Sequence, residues 1–102
     1  KMKKEIFNHY ATKVADLFDV SEDDLFAPKR TMAISDARSL LYYLCYIRPM
    51  NVSYIKKYME DRGFKVLHTS ILYGINNVKK KMREDSDYIN IIENISQWEI
   101  YS

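Results

Sequence analysis

Apolar positions along the chain recur at helical spacing, and each run that does so is bounded by a capping or breaking residue. In residues 3–19, Ile6, Phe7, Tyr10, Val14, Leu17 and Phe18 fall on one side, with Lys3, Lys4, Lys13 and Asp16 opposite. Asp19-Val20-Ser21 interrupts that helix. Ser21 is followed by Glu22, Asp23 and Asp24, a hydroxyl cap with carboxylates at the positive end of a helix dipole, so a short helix ending by Pro28 is expected. A loop follows over residues 28–35. Ser35 reads as the cap of a helix that runs to Ile47 and stops before Pro49. Apolar residues cover most of its circumference, which marks it as the central core helix. Tyr42, Tyr43 and Tyr46 read as its core and rim rather than as a base-stacking platform.

Residues 50–82 predict two helices joined by a short turn. Asn51 is the expected cap of the first, and Val52, Ile55 and Met59 share one face of it. Gly63 breaks the pattern. A second series, Ile71, Ile75, Val78 and Met82, has helical period again, and His68, Thr69 and Ser70 stand at its start. Short polar side chains at that place are what a recognition helix presents to base edges. The competing reading is a plain cap, with Thr69 or Ser70 as the capping residue. After Met82 the acids Glu84, Asp85 and Asp87 interrupt, and residues 87–98 form a last helix with Tyr88, Ile91, Ile92, Ile95 and Trp98 as its apolar side. The expected fold is all-α, a compact bundle of five to six helices containing a helix-turn-helix, in a single domain over residues 1–102. Two Gly and two Pro in 102 residues suit a helical bundle better than a sheet.

Composition narrows the function. Hydrophobic residues make up 47% of the chain, too many for a disordered segment. No apolar run approaches a membrane span, no signal peptide is visible, and the single Cys45 reads as a small buried hydrophobe in a reducing, cytoplasmic setting. Net charge is only +2, but it is unevenly spread. Residues 28–83 carry twelve Lys/Arg against three acids, giving +9, while residues 84–102 carry five acids and no Lys/Arg. A polyanion contacted by the middle of the chain would explain that block; solvated lysine faces are the bland alternative. There is no G-x-x-x-x-G-K-[ST] loop, no H-E-x-x-H and no Cys/His cluster, and His68 and Ser70 point about 200° apart on a helix. Catalysis, a cofactor, a metal and a small-molecule substrate are therefore not expected.

Four pieces of the sequence resemble the C-terminal DNA-binding domain of the bacterial replication initiator DnaA, a helix-turn-helix variant. Phe18 to Leu25 is similar to that family's F-x-V-S-x-x-D-L, and Lys29-Arg30 stands at its basic loop. Ala37 to Cys45 is similar to A-R-Q-I-A-M-Y-L-C, and His68 to Tyr73 to the signature D-H-T-T-V-L-H, which opens the recognition helix. The resembling run, Val20 to Met82, is about two-thirds of the chain, and the pieces stand in matching order. Three positions depart. Asp36 stands where the family has a basic residue for the minor groove, Leu67 replaces the signature Asp, and residues 60–66 lengthen a tight G-G-R turn. These departures argue against recognition of the family's replication-origin box. With no ATPase domain before it, the segment reads as an excised domain or a stand-alone relative.

The resemblance implies duplex DNA binding in replication initiation or its regulation. His68, Thr69 and Ser70, with Tyr73 following, would face the bases. Lys29, Arg30, Arg38, Lys56, Lys57 and Lys65 would neutralise phosphates. Lys79, Lys80 and Lys81 lie further along the same helix, as flanking contacts or as a solvated face. The alternative is a protein-interaction module on the same scaffold, docking a partner replication protein. An exposed apolar patch of Phe64, Val66 and Leu67 would favour docking; burial of all three, with lysines around His68, would favour DNA.

Overall fold

The structure, a computed structural model, describes residues 3–96. Within them the chain forms six helices and no strand: α1 (Lys3–Leu17), α2 (Glu22–Leu25), α3 (Met32–Tyr46), α4 (Val52–Asp61), α5 (His68–Glu84) and α6 (Ser86–Ser96). The bundle measures 31 × 30 × 24 Å. The all-α architecture matches the periodicity, because each apolar series finds the core. Trp98, assigned to the last helix, lies outside the described residues.

α3 is the centre. It packs most extensively on α5 and α1, and it also meets α2 and α4. Ile34, Ala37, Leu40, Leu41, Leu44 and Cys45 are buried around it. Phe7, Tyr10 and Val14 of α1 close one side, and Ile71, Ile75 and Val78 of α5 close another. Ile55 and Met59 bury the inner face of α4. Leu17, expected on the apolar side of α1, is largely exposed because the helix ends there. Among the described residues no helix is long and apolar enough to cross a membrane.

The caps show where local chemistry decided. Ser21 accepts from the Asp24 amide at 3.0 Å, and Asn51 accepts from Ser53 at 2.9 Å, as their positions suggested. Ser35 does not cap α3. Thr31 does, accepting from the Ile34 amide at 3.2 Å, and starting the helix earlier buries Ile34. The boundary between the last two helices also differs from the expected one. α5 continues to Glu84, and α6 starts at Ser86, with the Asp87 amide bonded to Asp85 Oδ1 at 3.0 Å.

α4 ends in a Schellman closure. The Phe64 amide donates to the Met59 carbonyl and the Gly63 amide to the Glu60 carbonyl, both at 3.0 Å, and Gly63 takes φ = 97°. Phe64 and Met59 are both buried, the apolar contact that accompanies this motif. α5 then approaches α3 through Gly74. A Cβ there would meet Tyr42 Cδ2 at 3.0 Å and Ser39 Cα at 3.3 Å. Gly74→Val would drive two further methyls toward the α3 backbone. We expect it to lose about 1–3 kcal/mol of stability, read as a lower urea midpoint with an unchanged slope.

Candidate nucleic-acid interface

An open groove of about 980 Å³ runs between the first halves of α3 and α5, with α4 at one end. Arg30 and Met32 enter it from the loop and first turn of α3, and Ser35, Asp36, Ser39 and Tyr42 follow along that helix. Lys56 and Glu60 come from α4, and Phe64 to Leu67 from the turn. Thr69, Ser70, Tyr73, Gly74 and Asn77 come from α5. The groove thus gathers Arg30, Arg38, Lys56, Lys65, Thr69, Ser70 and Tyr73 from the sequence-predicted set. Lys29, Lys57 and His68 stand outside it.

The start of α5 lacks a side-chain cap. Its boundary residue is Leu67, the helix begins at His68, and neither Thr69 nor Ser70 caps it. Both hydroxyls are exposed on the first turn. The capping alternative for these residues therefore does not hold. His68 Nε2 lies 3.3 Å from Ser53 Oγ, against the first turn of α4.

Arg38 is not a surface cation. It is only 4% exposed. Its Nε donates to the Leu25 carbonyl at 2.8 Å and Nη1 to Lys29 O at 2.7 Å. Nη2 is shared between Ala27 O at 2.6 Å and Asp24 O at 3.3 Å. The guanidinium also stacks over Phe64, 4.0 Å from its ring centroid. Four carbonyls and an aromatic face occupy the donors that a phosphate would need, so Arg38 leaves the set of expected phosphate ligands. Burial lowers its pKa from the ordinary arginine value, yet a guanidinium stays protonated in proteins. Satisfied by dipoles rather than by a carboxylate, its charge still adds to the positive potential of the groove. Burial pushes the neighbouring Tyr42 phenol up to about 12, so that group stays neutral.

The other cations are exposed or half-buried. Lys29 meets Asp24 at 2.8 Å, Lys56 meets Glu60 at 2.6 Å, and Lys57 meets Asp61 at 3.5 Å. The hydrogen bond from Lys56 holds the Glu60 carboxyl below the usual range. Asp36 is not left facing an incoming anion unpaired, because Lys81 lies 3.0 Å from it. Lys79 sits over the Tyr46 ring at 5.2 Å. Of the three consecutive lysines, Lys80 is the exposed one. It lines a second depression with Tyr73, Asn76, Asn77 and Arg83. Asn76, Asn77 and Arg83 were missed in the sequence, although they continue from Thr69 and Tyr73 at helical spacing opposite Ile71, Ile75 and Val78. Among the described residues no three His, Cys, Asp or Glu side chains gather to hold a metal.

Six short helices around one core, with a cationic groove beside an uncapped helix start, define a small helical domain with a surface suited to an anionic partner. The chain is similar to chromosomal replication initiator protein DnaA. It is 30% identical over 90 residues to the protein of Thermosipho melanesiensis, covering 82% of this chain and 19% of that protein. To the Treponema denticola protein it is 32% identical over 82 residues, covering 80% and 17%. To that of Lachnoclostridium phytofermentans it is 27% identical over 81 residues, covering 78% and 17%. The chain therefore spans under a fifth of the length of these curated relatives. That extent fits a divergent counterpart of the DnaA C-terminal domain, as the motifs implied. No family model matches the chain.

The two kinds of arginine should separate on mutation. Arg38→Met leaves buried carbonyls unpaired and should cost roughly 3–5 kcal/mol, seen as a large drop in thermal midpoint. Arg30→Ala should change stability by no more than about 0.5 kcal/mol.

Proposed function

We propose that this domain binds duplex DNA through a helix-turn-helix formed by α4 and α5, with α5 as the recognition helix, and that it serves replication initiation or its regulation. The observation that carries the reading is the groove, in which Arg30, Lys56 and Lys65 stand around the uncapped polar start of α5. Arg30, Lys65, Lys56, Lys29 and Lys57 contact phosphates. The last three leave exposed ion pairs to do so, and such pairs are worth about 1 kcal/mol or less. Thr69 and Ser70 face base edges, and Lys80 and Arg83 extend the contact along the flank. The similarity to a replication initiator supports the setting.

The docking alternative rested on an apolar patch of Phe64, Val66 and Leu67. Phe64 and Val66 are buried, and Phe64 lies under Arg38, so only Leu67 remains of that patch. Lys65 and Lys56 flank the same surface. Two of the three side chains are thus buried while Leu67 stays exposed, and His68 lies against Ser53 rather than among lysines; the flanking cations are what support a polyanion.

Titrating the protein with a mixed-sequence duplex at several salt concentrations tests the reading. With ~5 phosphate contacts, log K against log[salt] should fall with a slope near −4 to −5, and Arg30→Ala should flatten it by about 0.9. Salt-independent binding, or none, would reject it.

A further inference from the structure

Three large apolar side chains stand exposed along the cationic groove. Met32 is 77% exposed, Leu67 68% and Tyr73 74%, and all three line it. Phosphates give such groups nothing to bury against. Arg30, Lys56 and Lys65 stand at the rim, and the groove's two carboxylates, Glu60 and Asp36, are each paired with a lysine; an anion with an apolar interior edge matches that lining. In duplex DNA the one apolar group on the floor of the major groove is the thymine 5-methyl. Asn77 lies one turn beyond Tyr73 and lines the same groove. Its amide offers the donor and acceptor that match adenine N6 and N7.

We infer that this face, taken as the duplex-binding surface proposed above, reads A·T pairs: Leu67, Tyr73 and Met32 cover thymine methyls, and Asn77 pairs with the adenine edge. Position 67 is decisive. The resembled signature carries Asp there, and a carboxylate can only accept, so it asks for a base amino group. Leu67 offers neither donor nor acceptor, and the base-edge group it matches is the methyl. The base preference of this chain is thereby moved toward thymine at that step.

Four alternating duplexes test it by fluorescence anisotropy with the full chain: dA-dT, dA-dU, dG-dC and dG-dC carrying 5-methylcytosine. Removing the methyl from dA-dT to give dA-dU should weaken binding about fourfold for each methyl that a side chain covers. Adding the methyl to dG-dC should tighten binding in the same sense. Leu67→Asp supplies a good helix cap, so the variant should fold at least as stably while its dT/dU ratio falls toward one. Tyr73→Ser, at a solvent-exposed position, should lower the same ratio independently. Equal affinity for dA-dT and dA-dU, with duplex binding otherwise intact, would overturn the inference and leave the duplex reading standing. Failure to bind any of the four would overturn both.

Discussion

One buried guanidinium holds the surface together. Arg38 reaches out of the central helix and gathers carbonyls from residues 24, 25, 27 and 29, which pulls the loop after α2 against α3. Its other side lies on Phe64, the residue that closes α4. The loop bearing Lys29 and Arg30 and the turn bearing Lys65 are thus hung on the same group. Without it the loop and the turn would lose their shared anchor. A charge this deeply buried is tolerated because its donors are used, which is the usual condition for burying an ion.

The orientation of α5 has a separate origin. The turn from Arg62 to Leu67 is long, but its first part is closed by main-chain bonds to α4. The rest of the alignment comes from the helix body, where Gly74 admits the α3 backbone and Ile71, Ile75 and Val78 fill the core. α5 is therefore positioned by packing along its middle rather than by the connection before it. The length of that turn therefore does not by itself set the direction of α5.

Much of this was legible in the residues. Periodicity located the apolar faces, since burial follows the helical repeat whatever the caps do. Two of the expected caps, Ser21 and Asn51, held because each directly precedes its helix. Ser35 failed because a second competent cap, Thr31, lay four residues earlier, and local chemistry alone does not rank them. Arg38 was misread for a different reason. An arginine beside a basic loop looks like a phosphate ligand, and only the folded path of residues 24–29 reveals the carbonyls waiting for it. Asp36 was read as the loss of a basic minor-groove contact, but its pairing with Lys81 depends on two helices meeting. The outer stripe of α5 was legible in part, as the complement of its apolar series: Lys79, Lys80 and Lys81 stood out by charge, whereas the neutral Asn76 and Asn77 carried no such signal.

The grip on the basic loop passes through main-chain oxygens alone, which every amino acid carries. Side chains at positions 29 and 30 can therefore drift in a lineage without disturbing the path of the backbone beneath them. Such an arrangement separates the inheritance of shape from the inheritance of ligand choice, and a scaffold of this kind can be retargeted by point changes on its rim.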